Sequence, residues 1–347
     1  MRIVVNDIAA STGGAMTVLR DFYRCVCEHD TENEWIFLLG EKYFEETDNV
    51  KIIAMPAVKK SGVKKVLFDF VTGRKFISAL KPDLVFSLQN IITFGMKVPQ
   101  VTYIHQSIPF QSIKKFSFLK GSERKLAVIQ RLIGRIIKRS AKKSNCVIVQ
   151  TEWMKEAVCK QCRLPAERVR VVMPQVKPFD GEKKLELDAT SFFYPTSLGV
   201  YKNNAAVFTA CEQLDQKGLE FDVVLTLPES VSNGQVKCVG RIPYEDVVDC
   251  YHTSTLLFPS YIETFGYPLA EARQAGTIVL AADTDFSREV LRGYENAYFF
   301  DPFKPQELAD LMEQVIRGQI VCQAVSESKS VQRDSWIEVM DIVRRTV

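Results

Sequence analysis

Short runs of β-branched and apolar residues alternate with helix-patterned stretches along the whole chain, and this alternation limits the fold more than any other feature. Strands separated by helix-length connections pair in parallel and need helices over both faces of the sheet. In the first half such runs lie at Arg2–Asn6, Trp35–Leu39, Ile52–Ala54, Leu84–Ser87, Val101–His105, Cys146–Gln150 and Arg170–Met173. The pattern breaks at Pro174–Asp188, PQVKPFDGEKKLELD, where two prolines, a glycine and dense charge suit an exposed connection. It restarts with runs at Phe192–Pro195, Asp222–Thr226, Val236–Val239, Leu256–Pro259, Ile278–Ala281 and Ala297–Phe300. Helices are expected between these, at Lys202–Gln213, Tyr244–Ser254, Gly266–Ala275, Phe286–Leu291 and Pro305–Ile316. A chain of 347 residues suits two domains. The expected organisation is a first α/β domain over residues 1–175, a linker over 176–190, a second α/β domain over 191–328, and a C-terminal helix over 329–347 packing back towards the first domain.

Hydrophobic residues at 46% and charged residues at 25% fit an ordinary globular protein and exclude disordered or fibrous classes. The opening MRIVVNDIAAS has no long apolar stretch and carries Asp7, so no secretory signal is expected. No run approaches the roughly 18 apolar residues a bilayer span needs. The expected location is the cytoplasm. Nine cysteines there read as reduced thiols, and the Cys159–Cys162 pair lacks the second pair that a zinc site needs, so no metal and no cofactor are expected. The charge is uneven: residues 1–180 hold 30 Lys/Arg against 17 Asp/Glu, and residues 181–347 hold 15 against 25. A basic half suits phosphate-bearing ligands, an anionic membrane or nucleic acid, and no recognisable nucleic-acid module accompanies it.

The most informative segment is Leu256–Gly276, LLFPSYIETFGYPLAEARQAG, a buried strand, a loop and a helix with Pro268 near its start. Strand ends of this kind bind ligands in open α/β sheets. Glu263 falls in the loop and Glu271 eight residues later, inside the helix. A carboxylate in the helix can accept two hydrogen bonds from a vicinal diol such as a ribose, while Glu263 and the amides near Thr264, Phe265 and Gly266 face a sugar and its phosphates. This run, continued by AADTDFSREVL and ENAYFFDPFKPQELADLM, resembles the donor-binding region of the retaining glycosyltransferases of group 1, or family four, the class that builds bacterial surface polysaccharide and lipopolysaccharide. The resemblance implies a GT-B fold, two facing Rossmann-like domains with parallel sheets and a deep interdomain cleft. It further implies a nucleotide diphosphate sugar donor, UDP- or GDP-linked, with Glu271 on its ribose and Glu263 on its hexose. The implied acceptor is a glycan or a lipid-linked sugar.

FFYPTSLGVYKNNAAVF matches the family's first strand, loop and helix in this domain. There the family places an Arg and, five residues on, a Lys against the donor diphosphate. Lys202 matches the Lys, but Ser197 stands where the Arg is usual, and Arg241 is a candidate substitute cation. In the first domain, NDIAASTGGAMTVLRDFY places Gly13–Gly14 at a helix start, where backbone amides can approach an anion. It is neither G-x-G-x-x-G nor a Walker loop. His105 ends the strand of VTYIHQSIPF, where the family often has a His facing the acceptor and the reacting sugar. His105, Lys202 and Glu263 are thus the expected catalytic residues, and Asp283-Thr-Asp285 is not read as a metal site.

Residues 114–143 carry 11 Lys/Arg and one acidic residue. A regular helix after Glu123 would align Leu126, Ile129, Ile133, Ile136 and Ile137 on one packed face and leave the rest cationic. Such a surface suits peripheral attachment to the inner face of the plasma membrane through anionic lipid. Two other readings compete with a transferase: a sugar-nucleotide epimerase of the same architecture, and a non-catalytic sugar-nucleotide-binding protein, the latter motivated by Ser197.

Overall fold

The computed structural model describes residues 1–11, 13–176, 178–179, 183–324 and 335–346. The chain forms two compact units, Met1–Gln175 with Val331–Val347, and Val176–Ser330. Of the expected linker 176–190, residues 177 and 180–182 lie outside the described residues, as do 325–334 around the expected end of the second domain.

The first unit is built on a seven-stranded sheet: β1 (Arg2–Asp7), β2 (Glu34–Leu39), β3 (Val50–Ala54), β4 (Leu84–Ser87), β5 (Gln100–Ile104), β6 (Cys146–Val149) and β7 (Val169–Val171), in the order β3-β2-β1-β4-β5-β6-β7. The second has six strands: β8 (Ser191–Tyr194), β9 (Asp222–Leu225), β10 (Val236–Cys238), β11 (Thr255–Phe258), β12 (Val279–Ala282) and β13 (Ala297–Phe300), in the order β10-β9-β8-β11-β12-β13. Every ladder in both sheets is parallel. Central strands such as β4, β5 and β11 are buried at every residue, as a sheet covered on both faces requires. In each sheet the strand order reverses once, between β1 and β4 and between β8 and β11, which opens a crevice at the carboxyl ends of those strands.

The Gly14–His29 helix buries Val18, Leu19, Phe22, Cys25 and Val26, a 3.6-residue stripe, against the first sheet. Phe22 is the centre of an aromatic cluster, with its ring 5.7 Å from Trp35, 5.1 Å from Phe86 and 5.8 Å from Trp336. Trp336 belongs to the C-terminal helix Ser335–Arg344, whose Val339, Met340 and Val343 complete the same core. The chain end is therefore part of the first unit's hydrophobic interior. Edge strands are less protected. β3 leaves four of its five residues partly or fully exposed, and β7 two of its three.

The expected regular helix after Glu123 needs correction. Arg124–Val128 is α-helical, Ile129–Ile133 forms a wide π turn, and Gly134–Lys143 resumes the α-helix. The extra residue in the wide turn shifts the helical phase, so the buried positions become Ala127, Gly134, Ile137, Ser140 and Ala141. Of the expected stripe only Ile137 is fully buried, and Ile133 is exposed.

Candidate active site

In the second unit the crevice between β8 and β11 is lined by two chain segments, each tied to the other. After β8 the chain turns through Ser197 and Gly199 into a short 3-10 turn, Val200–Lys202, before the helix Asn204–Gln216. After β11 it runs through Ser260 and Glu263 into the helix Tyr267–Ala275. The Tyr201 carbonyl accepts from the Tyr261 amide at 3.0 Å and from Ser260 Oγ at 3.2 Å. Asn203 Nδ2 donates to the Pro302 carbonyl at 2.7 Å, and buried Tyr194 donates its hydroxyl to the Lys202 carbonyl at 2.8 Å. These bonds hold the backbone of Lys202 against the sheet edge.

The side chains meet there. Lys202 Nζ lies 2.6 Å from Glu263 Oε1, which also accepts from Ser260 Oγ at 2.8 Å. Both charged groups keep about a fifth of their side-chain surface exposed, so the pair is shielded yet reachable. Gly266 sits at φ +90° as the cap of the Tyr267–Ala275 helix, a conformation that favours glycine, and an added Cβ would come within 3.3 Å of Leu269. With no side chain to cap it, this helix start presents its positive dipole end near the same strand edge. Phe265 is buried and Thr264 half-buried beside it.

Glu271, in the second turn of that helix, accepts from Tyr251 at 2.8 Å on Oε2 and from Tyr244 at 3.1 Å on Oε1. Burial pushes its carboxyl above the usual range, against the two tyrosine hydroxyls, which favour the ionised form. Ser197 and Arg241 are both exposed, on the loops after β8 and β10. Asp283 is held by a two-pronged bond from Arg288 at 2.7 and 2.8 Å, and Thr284 caps the helix Asp285–Val290. Among the described residues no three His, Cys, Asp or Glu side chains group as metal ligands.

In the first unit, Gly13 caps the Gly14–His29 helix at φ +63°, and neither glycine would meet any atom within 4 Å on gaining a Cβ. His105 follows β5, with its amide donating to Asn90 Oδ1 at 2.8 Å; its Nδ1 is buried with no partner among the described residues, and burial pushes the imidazole down to about 4. It is neutral at any physiological pH. The sequence reading missed what surrounds the carboxyl edge of this sheet. Asn6 Oδ1, Asp7 Oδ2 and Gln89 Oε1 are also buried without partners among the described residues. They lie at the ends of β1 and β4, the strands flanking the reversal. Unused hydrogen-bonding capacity of this kind is costly, about 1–3 kcal/mol for each group. No local spacing signals it, because Asp7 and Gln89 are 82 positions apart.

A family model described as Glycosyltransferase Family 4 matches residues 12–177, and one described as Glycosyl transferases group 1 matches residues 218–330. The chain belongs to this glycosyltransferase family. Its fold is that of solved GT-B enzymes. Anabaena HepE, crystallised with UDP-glucose, superimposes with a TM-score of 0.65 at 16% identity over 100% of this chain and 99% of that one. WaaG, a glycosyltransferase involved in lipopolysaccharide biosynthesis, gives 0.67 at 13% identity over 98% and 99%. The lipopolysaccharide outer core galactosyltransferase WaaB gives 0.65 at 14% identity over 100% and 95%. An uncharacterized glycosyltransferase of Methanocaldococcus jannaschii is 22% identical over 198 residues, 49% of this chain and 50% of that protein. The match thus spans about half the length of this curated relative.

The glycosyltransferase also exposes an apolar and basic surface on its first unit. Leu119 is 92% exposed, and Ile113, Phe118, Leu132 and Ile133 join it, interspersed with exposed Lys115, Lys120, Arg124, Lys125 and Arg135. A second segment does the same. Val63 is 80% exposed, and Val66, Leu67, Val71 and Phe76 are exposed beside Lys60, Lys64 and Lys75. The two segments meet at Phe94, which stacks on Phe70 at 4.5 Å and carries Arg139 over its ring at 5.6 Å. Each contains a π turn followed by a glycine, Gly73 and Gly134. At both glycines a Cβ would collide with a neighbour, the Phe68 carbonyl in one case and Pro109 in the other. No helix among the described residues is long and apolar enough to cross a membrane.

Proposed function

We propose that this glycosyltransferase moves a hexose from a UDP- or GDP-linked donor to a glycan or lipid-linked acceptor, retaining the anomeric configuration and using no metal ion. The observation that carries the proposal is the Lys202–Glu263 pair at the reversal between β8 and β11, beside a helix start capped by glycine. Breaking the bond between sugar and diphosphate leaves positive charge on the sugar ring and negative charge on the departing phosphate. A diphosphate entering the crevice competes with Glu263 for Lys202. Once released, the Glu263 carboxylate is free to accept hydroxyls of the hexose, so one exchange readies both groups. Glu271 serves the ribose. Retention rests on the family resemblance. HepE binding UDP-glucose supports the donor class, and WaaG and WaaB support a role in surface-polysaccharide assembly.

Ser197 removes a cation that the family normally supplies, and the exposed Arg241 is the proposed replacement. On the first unit, His105 stays neutral and serves as a hydrogen-bonding group facing the reacting sugar. Gly13 and Gly14 offer amides to the phosphates. Incubating the protein with UDP- and GDP-sugars, with and without a membrane lipid extract, tests the reaction. Acceptor-dependent release of nucleoside diphosphate is expected. A new sugar nucleotide formed without acceptor would mark an epimerase, and binding without turnover would mark a non-catalytic protein.

The exposed apolar and basic surface supports a lipid-linked acceptor reached at an anionic bilayer. Each cation near such a surface contributes about 1 kcal/mol, and inserted apolar side chains add to it. Flotation with vesicles containing phosphatidylglycerol should recover the protein at low salt and lose it at high salt. The double change Val63→Asp with Leu119→Asp should cut recovery by at least tenfold. Equal flotation of both proteins, or none of either, removes the membrane from the proposal.

A further inference from the structure

Glu271 already has both carboxylate oxygens engaged. Tyr244 and Tyr251 lie seven residues apart on the helix Tyr244–Thr253, hence on one face, and each gives its hydroxyl to a different oxygen of Glu271. They are held very differently. Tyr251 is buried, with its ring 5.8 Å from Phe193 in the core of the second unit. Tyr244 is the first residue of the helix and is 50% exposed. Among the described residues its hydroxyl bonds to Glu271 alone. The helix start gains no intrahelical bond from its own amide, so the ring can swing outward without unwinding a turn.

Resting on the donor reading above, we propose that Tyr244 is a displaceable stand-in for a ribose hydroxyl: it caps Glu271 Oε1 and yields that oxygen to the diol of a nucleoside diphosphate. A half-buried carboxylate would otherwise keep one oxygen unused, and the phenol satisfies it. A ribose brings two hydroxyls to Glu271 and displaces one, so binding gains a bond. A ligand with a single hydroxyl there merely replaces the tyrosine, and one with none cannot displace it. The cap therefore lowers affinity for ribonucleotides by competition, instead of by a steric block, and leaves ligands without the diol unaffected.

Calorimetric titration of the intact protein and Tyr244→Phe with UDP, GDP and their 2′,3′-dideoxy counterparts tests this. Phenylalanine keeps the ring and removes the competing hydroxyl. The variant should bind the preferred ribonucleotide about three- to tenfold more tightly, the size of one hydrogen bond, and bind its dideoxy counterpart unchanged. A thermal melt matching the parent protein shows that the fold is retained. Weaker ribonucleotide binding by Tyr244→Phe, or the same change for both ligands, would overturn the cap while leaving the donor site in place. Failure of the parent protein to bind any of the four nucleotides would instead remove the donor reading, and the cap with it.

Discussion

Lys202→Ala is expected to lower turnover by two to three orders of magnitude while leaving the fold intact. The reason lies in when the charge is needed. Lys202 is paired with Glu263 at 2.6 Å and about a fifth of each side chain stays exposed, so water can solvate Glu263 once Lys202 is lost and the cost to stability is modest. During reaction the departing diphosphate gains negative charge, and a fixed cation at that point stabilises the transition state more than the bound donor. Removing one such prearranged group costs about 3–4 kcal/mol of barrier. Ser197 enlarges the expected loss, because the cation usual at that position is not there to share the load. The effect should fall mainly on kcat, with a smaller change in KM. Lys202→Arg should recover part of the activity, since it restores charge with a different shape. A Lys202→Ala protein within tenfold of the parent would show that the diphosphate is stabilised elsewhere.

Asp7→Asn is expected to stabilise the protein at pH 8 by about 2–4 kcal/mol and to have little effect at pH 4. Asp7 ends β1, is buried, and has Oδ2 without a partner among the described residues. Burial pushes its carboxyl from 3.8 up to about 7, opposed by Lys65 and by the Ala10 amide. Because the folded value is the higher one, the direction follows. Below pH 4 both states hold the proton and there is no penalty. As pH rises towards 7 the unfolded chain releases it while the folded protein must keep it, so stability falls. Above 7 the cost is fully present. Asparagine keeps the shape and does not ionise. Thermal melts of both proteins from pH 4 to 8 should therefore converge in acid and separate in base. Parallel curves across that range would mean that Asp7 is ionised and satisfied in the folded state.

How far the sequence reveals this molecule depends on the range of the interaction concerned. The strands were readable because each is a local run buried on both faces: Leu84–Ser87 and Ala297–Phe300 match the structure at both ends. The ends shift where burial weakens. β3 begins at Val50 instead of Ile52, and β7 covers Val169–Val171 instead of Arg170–Met173, both being edge strands with exposed positions. Other features left no local trace. The π turns at Phe68–Thr72 and Ile129–Ile133 have the composition of ordinary helix, so a regular period placed Ile133 on the packed face. Only the glycines after them, required by collisions with Phe68 and Pro109, hint at an irregularity. At the candidate site the motif located Lys202, Glu263 and Glu271. The contacts that hold them were not legible in it: Tyr194 and Ser260 stand within the quoted segments and Tyr244 and Tyr251 outside them, and all four reach these groups only through folded contacts. The unpartnered atoms of Asn6, Asp7 and Gln89 likewise emerge only once β1 and β4 lie side by side.

The central claim is that the carboxyl edge of the second sheet grips a nucleoside diphosphate through Glu271 and Lys202. Calorimetric titration of the parent protein and Glu271→Ala with UDP and GDP tests it most directly. One of the two nucleotides should bind the parent protein, and Glu271→Ala should lose at least tenfold in affinity for it, the size of the charged hydrogen bonds removed. Acidification should weaken binding to the parent from above the usual carboxylate range, because burial raises the point at which Glu271 takes up a proton. Binding of equal strength to both proteins, or no binding to either, would contradict the claim.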